Sequence, residues 1–358
     1  MNLAAPVADV SWAAICAGPA LPLTVLPANP PVAPRVAYDL MRKIPMPTSP
    51  HVAVVVPSNR PTSLAAWLAR WRLYLGNASL YIVEDGPETW ATIRADLGAD
   101  AWIIPRETDC VRGWGYLQAM RAKADIILTM DDDVFPDYPT DGIAEHVRAL
   151  TTPQDAHGWG RMLADVRTRG IPEGAPPVIN HGLWTNVPDL DARMQLSKPP
   201  LPDRERYPLE TILTMGLQYP ISGMNLSWWS HWTPVLYFGL MGRHIETGVP
   251  WGVDRCGDIW AGLAAKRLAD YYQASIRSGT PFVHHARASD PRVNLEKEAS
   301  GRSLTPIFAH AMQTCPLPEE VLPLPAAARC LADAVGRLPM DYWHDYARAW
   351  HRWIDLTT

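Results

Sequence analysis

The sequence predicts an α/β fold: an open sheet of crossover-connected strands with helices on both faces, preceded by an extended arm and followed by a C-terminal helix. Three observations carry this. The run His51-Val-Ala-Val-Val-Val56 is continuously apolar and stops at Pro57, the pattern of a buried parallel strand feeding a loop. Strand-like and helix-like periodicities then alternate along the chain. The strands end in polar clusters, Pro57-Ser-Asn-Arg60, Glu84-Asp85-Gly86 and Asp131-Asp132-Asp133. In an open α/β sheet such ends converge on one edge, where ligands bind.

The elements follow in order. Residues 1–50, rich in Pro and Ala, read as an arm that wraps the domain or a neighbouring subunit. After the first strand, residues 64–75 read as a helix with Leu64, Trp67, Leu68, Trp71 and Leu75 on its apolar side. Leu80-Tyr-Ile-Val83 is the second strand and Ala101-Trp-Ile-Ile104 a short third one. Residues 113–123 form a helix, and Asp125-Ile-Ile-Leu-Thr-Met130 is a fourth strand that runs into the acidic triplet. Residues 151–250, rich in Pro, Gly and Trp, read as long loops and short strands covering a site. Residues 257–272 are helical. In the tail, Trp343, Tyr346, Trp350 and Trp353 recur at helical spacing, as in a helix that docks by packing or at a subunit contact.

With 358 residues, the chain can bury a sizeable core without staples. Its 47% hydrophobic and 19% charged residues suit a globular enzyme. A net charge of -5, without any Lys/Arg block, argues against a nucleic-acid partner. The five cysteines are scattered and never form C-x-x-C, which points to a reducing compartment with neither a disulfide frame nor a zinc site. No Lys or Arg precedes Arg35, so the charged start of a secretory signal is missing. No apolar run approaches the ~20 residues of a membrane helix. A cytoplasmic location without a membrane span is expected.

Asp131-Asp132-Asp133 carries the clearest chemistry. Three consecutive carboxylates at a strand end repel one another unless a cation sits among them, and their oxygens suit Mg²⁺ or Mn²⁺ bridging to phosphate. No G-x-G-x-x-G follows the first strand and no Walker-A loop occurs, so the sequence predicts neither NAD nor flavin. His284-His285, after the apolar Pro281-Phe-Val283, would complete an Asp/Asp/His ligand set. The residues alone leave that open, because most such histidines are structural.

Six collinear segments resemble the reversibly glycosylated polypeptide family, whose plant members are UDP-arabinopyranose mutases with a GT-A-like, Rossmann-type fold. They are Thr129-Met-Asp-Asp-Asp133, His181-Gly-Leu-Trp-Thr-Asn-Val-Pro-Asp-Leu-Asp191, Gly223-Met-Asn-Leu226, Tyr237-Phe-Gly-Leu-Met-Gly242, Asp258-Ile-Trp-Ala-Gly262 and Val293-Asn-Leu-Glu-Lys-Glu298. The resemblance implies a catalytic domain over 51–310, with a nucleotide-binding half over 51–150, a sugar-binding half over 151–310 and a helical tail over 311–358. The composition of arm and tail resembles a bacterial member. Bacterial relatives include enzymes of GDP-sugars, so the substrate expected is a UDP- or GDP-linked sugar. A homo-oligomer is expected.

Carried over residue by residue, the resemblance implies that Pro57, Asn59, Arg60, Asp85, Arg112, Asp132 and Arg287 bind the nucleotide. Asp131, Asp133 and His285 would hold Mn²⁺ or Mg²⁺. His181, Trp184, Gly223, Asn225, Trp260, Asn294 and Lys297 would line the sugar pocket. Asp258 is the expected catalytic carboxylate, and Arg169 is the nearest match to the family's glycosylated arginine, with Arg167 as a rival. Two features depart from the family. The residue before Asp258 is Gly257, where the family has a second acid, and the segment around Arg169 matches poorly. The implied reaction is a metal-assisted, flavin-independent pyranose–furanose interconversion. Rival readings are a GT-A glycosyltransferase or self-glycosylating protein, and a non-catalytic sugar-nucleotide-binding subunit.

Overall fold

A computed structural model describes residues 47, 49–137, 140–153, 155, 169–170, 174, 176–197, 211–213, 215–244 and 247–358. The proposed arm over 1–50 therefore lies outside the described residues except at 47, 49 and 50, and Arg167 lies outside them too.

The centre is an eight-stranded mixed sheet. Its strands are β1 (Val52–Ser58), β2 (Ser79–Glu84), β3 (Ile126–Met130), β4 (Val134–Pro136), β5 (Ile179–Asn186), β6 (Thr211–Ile212), β7 (Asn225–Trp229) and β8 (Ile276–His285). The order is β2-β1-β3-β7-β5-β8-β4, with β6 pairing β8. β1 runs parallel to both β2 and β3, while β7 is antiparallel to β3 and β5. The chain moves from β1 out to β2 and returns to the far side of β1. That reversal opens a crevice between the carboxyl ends of β1 and β3, the expected place for a ligand.

Alternate residues of β1 serve two cores. Ala53 and Val55 pack with Tyr116 on one face, while Val54 and Val56 pack with Trp67 and Trp71 on the other. This explains the unbroken apolar run, because neither face meets water. The large side chains each contribute roughly 1.5–3 kcal/mol by burial. One face is covered by α1 (Pro61–Trp71), which opens on a proline at its first turn. α2 (Pro87–Leu97) follows β2, and α3 (Arg112–Arg121) lies against β1 and β2. α3 approaches closely because Gly115 has no side chain: a Cβ there would stand 2.5 Å from Val55. This approach carries Arg112, at the helix start, to the carboxyl edge of the sheet.

Two elements differ from the sequence-based prediction. Residues 101–104 are not a strand: Gly98–Ile103 forms a 3₁₀ turn after α2, inserting Ala101 and Ile103 into the core. A four-residue apolar run has no period that separates strand from helical turn. The first helix also starts and ends earlier than predicted, at Pro61 and Trp71, followed by a turn to Tyr74.

Among the described residues, the remaining α-helices are α4 (Gly142–Thr151), α5 (Ala192–Ser197), α6 (Gly257–Tyr272), α7 (Pro291–Lys297), α8 (Ala299–Thr314), α9 (Leu324–Gly336) and α10 (Asp341–Leu356). α10 docks within the chain. Trp343, Tyr346, Trp350 and Trp353 are buried, and the last two donate indole hydrogen bonds to the Pro234 and Thr233 carbonyls at 3.0 and 2.8 Å. Among the described residues, no helix is long and apolar enough to cross a membrane.

Candidate active site

The carboxyl ends of β1, β2 and β3 open into a cleft of about 1200 Å³, closed on its far side by the 189–195 segment, the 220–224 turn, the start of α6 and the 285–306 region. The three polar clusters predicted to converge do so: Pro57 to Arg60, Asp85 and Asp131 to Asp133 all line it.

Each carboxylate of the acidic triplet has a different environment. Asp132 is buried and accepts from Ser58 Oγ at 2.6 Å and from both Nε and Nη2 of Arg60. It therefore fixes Arg60, whose guanidinium stands at the β1 end of the cleft. Asp131 accepts from Arg112 Nη2 at 2.6 Å. Although burial opposes its charge, the Arg112 guanidinium holds Asp131 below the usual carboxylate range. Asp133 is raised, first by burial and then by repulsion from Asp131. Its Oδ2 accepts from the Ala288 amide at 2.8 Å, while Oδ1 is buried and, among the described residues, has no hydrogen-bond partner. Such an orphan is costly unless something fills it.

His285 faces that carboxylate. Its Nδ1 lies 2.7 Å from the Val187 carbonyl, which can only accept, so Nδ1 donates there and Nε2 is the nitrogen left for another partner. Nε2 is 4.0 Å from Asp133 Oδ2. Among the described residues, no three His, Cys, Asp or Glu side chains stand close enough to form a preassembled metal cage. The donor chemistry nevertheless fits a divalent cation: the orphan carboxylate oxygen of Asp133, an imidazole with its other nitrogen anchored, and a second carboxylate, Asp131, beside them.

Across the cleft stands Asp258, in the first turn of α6. Its Oδ2 accepts from the Gly223 amide at 3.0 Å and its Oδ1 from the Ile259 amide at 2.8 Å. Burial, then repulsion from Asp109 and Asp189, pushes its carboxyl up to about 7. A carboxyl that half-ionises near neutral pH is suited to both giving and taking a proton. Gly223 is required there by close approach, since a Cβ would stand 2.8 Å from Phe238 and 3.0 Å from Arg112.

Residues 48–356 match the family model described as reversibly glycosylated polypeptide. The chain belongs to that family. It is 33% identical over 297 residues to the probable UDP-arabinopyranose mutase 4 of Arabidopsis thaliana, covering 74% of this chain and 78% of that protein. To UDP-arabinopyranose mutase 3 of the same plant it is 32% identical over 296 residues, 74% and 78% of the two chains. UDP-arabinopyranose mutase 1 of Oryza sativa subsp. japonica is 31% identical over 295 residues, 72% and 77%. These relatives are plant proteins and do not support the bacterial member expected from the composition of arm and tail.

For this family member the cleft brings together most of the expected site residues. Besides those above, Arg287, His181, Trp184, Asn294 and Lys297 line it. Several roles change. Arg112 is buried and its guanidinium is consumed by the protein: it donates to the Asp109 carbonyl at 2.9 Å, Thr129 Oγ1 at 3.0 Å, the Gly223 carbonyl at 2.6 Å and Asp131. It braces the site rather than offering free donors to a diphosphate. Asp132 is likewise a support for Arg60. In His181, Nε2 accepts from the Ser222 amide at 3.2 Å, so Nδ1–H donates to Tyr219 Oη at 2.9 Å. Burial pulls His181 down to about 4, so it is neutral at pH 7 and props the 222 turn.

Three expected residues do not reach the cleft. Trp260 is fully buried against Phe308, Trp343 and Tyr346, and its indole donates to Thr305 Oγ1 at 2.9 Å. It lies two residues from Asp258, about 200° around the helix, so the two point to opposite faces. Asn225 is fully buried, with Nδ2 donating to the Leu183 and Pro281 carbonyls and Oδ1 meeting His146 Nε2. Arg169 sits in an exposed turn and does not line the cleft.

The sequence reading missed Asp109, Asp189, Ser222 and Arg255, all of which line the cleft. Asp189 lay within a quoted segment. Arg255 directly precedes the Cys256-Gly-Asp258 stretch and stands at φ 56°, a left-handed backbone that needs a reason in a non-glycine residue.

Proposed function

We propose that this chain is a mutase that interconverts the pyranose and furanose forms of a nucleotide-diphospho sugar, with a UDP-linked sugar the first candidate and a GDP-linked one the second. Family membership and the names of the plant relatives support the class of reaction. The observation that carries it on this chain is Asp258, a carboxyl poised near pH 7 at the cleft floor.

Ring contraction begins when the bond from C1 to the diphosphate breaks and its electron pair leaves with the diphosphate. The 4-hydroxyl oxygen then attacks C1 and gives up its proton. Next the bond from C1 to the ring oxygen breaks, and that oxygen takes a proton and becomes the 5-hydroxyl. The diphosphate finally returns to C1. The net change is one proton moved from O4 to O5, which a single carboxyl accomplishes by accepting it and then returning it. Asp258 is assigned that role. Arg60 and Arg287 supply charge-assisted hydrogen bonds to phosphate oxygens. Charge building on the leaving diphosphate would be offset by a divalent ion, Mn²⁺ or Mg²⁺, held by Asp131, Asp133 and His285. Asp85, at the β2 end, is assigned to the ribose or base, Trp184 to the sugar, and Asn294 with Lys297 to closing the pocket. Neither flavin nor nicotinamide is required.

The test is product analysis. The purified chain is incubated with UDP- or GDP-linked furanose and Mn²⁺, without an acceptor, and the sugar ring form is read by chromatography or NMR. Conversion to the pyranose is expected. A chain that stays inert until an acceptor is added is a glycosyltransferase, and the mutase reading falls.

A further inference from the structure

Gly257 directly precedes Asp258, and the structure shows that this position cannot hold a second carboxylate. A Cβ at 257 would lie 1.9 Å from the Phe238 carbonyl oxygen, with backbone rather than a yielding side chain in the way. The surroundings are nevertheless rich in carboxylates. Ser222 and Gly223, consecutive residues of one turn, each hold a different one. Ser222 Oγ donates to Asp189 Oδ2, and the Gly223 amide donates to Asp258 Oδ2.

That turn is itself pinned. The Met224 amide donates to Ser222 Oγ at 3.2 Å, and the Ser222 amide donates to His181, which is held by Tyr219, which donates to Ser278 Oγ at 2.8 Å. From the other side, the Gly223 carbonyl is gripped by Arg112. The segment carrying Asp189 is also anchored, because the Val187 carbonyl accepts from His285. Asp189 lines the cleft and is near enough to repel both Asp258 and Asp131. It therefore shares the cleft with the carboxyl assigned to proton transfer and with Asp131, assigned to the metal ion. Rigid placement of this kind is what electrostatic stabilisation of a developing charge requires.

We infer that Asp189 is a second carboxylate of the reacting centre, held beside Asp258 by the 222–223 turn and turned toward the anomeric carbon, in the place that position 257 cannot supply. The inference rests on the mutase reading for the identity of the reaction. Its own content is narrower. As the bond from C1 to the diphosphate breaks, positive charge grows on C1, and Asp189 stabilises it without exchanging a proton, while Asp258 acts in the later proton transfer from O4 to O5. Ser222 is a positioning residue for Asp189.

The two carboxylates are separated by isotope exchange. A nucleotide sugar is labelled with ¹⁸O at the oxygen bridging C1 and the β-phosphorus, and movement of label to a non-bridging β-oxygen is followed by ³¹P NMR. The exchange reports rupture of the C1–O bond whether or not the ring contracts. Asp189→Asn preserves shape and is expected to slow label exchange and turnover together, each by 10²-fold or more. Its melting temperature and its affinity for UDP with Mn²⁺ should stay near those of the parent. Asp258→Asn is expected to retain label exchange while losing ring contraction. Ser222→Ala, which leaves the Asp189 carboxylate in place, should slow exchange by about tenfold, and it decides the matter if Asp189→Asn does not fold. Parent-like exchange in a folded Asp189→Asn, or in Ser222→Ala if that variant must decide, overturns the inference. A parent chain that exchanges label but never contracts the ring overturns the mutase reading instead, and leaves the role of Asp189 in C1–O rupture to be decided by the same variants.

Discussion

Asp258→Asn tests the electrostatics of the site without any substrate. The carboxyl is displaced from its ordinary value of 3.8 to about 7, by burial and by its acidic neighbours. A displacement of that size corresponds to about 4 kcal/mol of differential stability between its two protonation states. Because the group faces an open cleft, solvent screening reduces this to about 2–3 kcal/mol. Below pH 4 folded and unfolded chains both hold the proton, and the site costs nothing. Between pH 4 and 7 the unfolded chain releases the proton while the folded chain keeps it, so stability falls as pH rises. Above pH 7 the full cost of an ionised, crowded Asp258 persists. Asparagine never ionises, but its NH₂ end cannot accept from one of the two backbone amides that Asp258 binds, a loss of about 1 kcal/mol. The variant should therefore be about 1 kcal/mol less stable than the parent at pH 4 and about 1–2 kcal/mol more stable at pH 8. Urea denaturation across that range, with unchanged slopes, measures the difference. A difference that is flat with pH, or that grows in the parent's favour, refutes the electrostatic account of Asp258.

Other expectations follow from the same geometry. Arg112→Lys strips the fork from Asp131, Thr129 and the Gly223 carbonyl and should destabilise the fold by about 3–5 kcal/mol in urea denaturation. Gly257→Ala drives a Cβ against the Phe238 carbonyl and should cost about 3 kcal/mol or more, read as a lowered melting temperature. Asp133→Asn removes the carboxylate with the orphan oxygen; calorimetric titration with UDP should show that Mn²⁺ no longer raises affinity, while the metal-free fold is at least as stable as the parent at pH 8. Trp260→Phe should lower stability by roughly 1–3 kcal/mol without changing UDP affinity, because its ring belongs to the α6–α8–α10 core.

The strand-end side of the cleft was legible because its signals are local. A strand buried on both faces is continuously apolar, and where it ends the chain turns polar, so β1, β3 and the triplet 131–133 declare their positions in consecutive residues. The segment 258–262 shared with the family led to Asp258, and the resemblance as a whole to His285 and Arg287. The opposite side of the cleft was read less well, since a motif names residues without saying which way each one faces. Within Asp258-Ile-Trp260 the helix turns one residue to the cleft and the other to the core, and helical periodicity alone would have separated them.

By itself the sequence determined the α/β plan, the strand ends that bear charge and the family. Only the tertiary structure decided that Arg112 and Asp132 are held in hydrogen bonds within the protein, that Asn225 is a core link, and that Asp189 joins Asp258 across the 222–223 turn. The physical reason is range. Burial patterns and strand ends are written into neighbouring residues, whereas a hydrogen bond between positions 33 or 35 residues apart exists only once the turn that supplies the donor has been packed against the sheet.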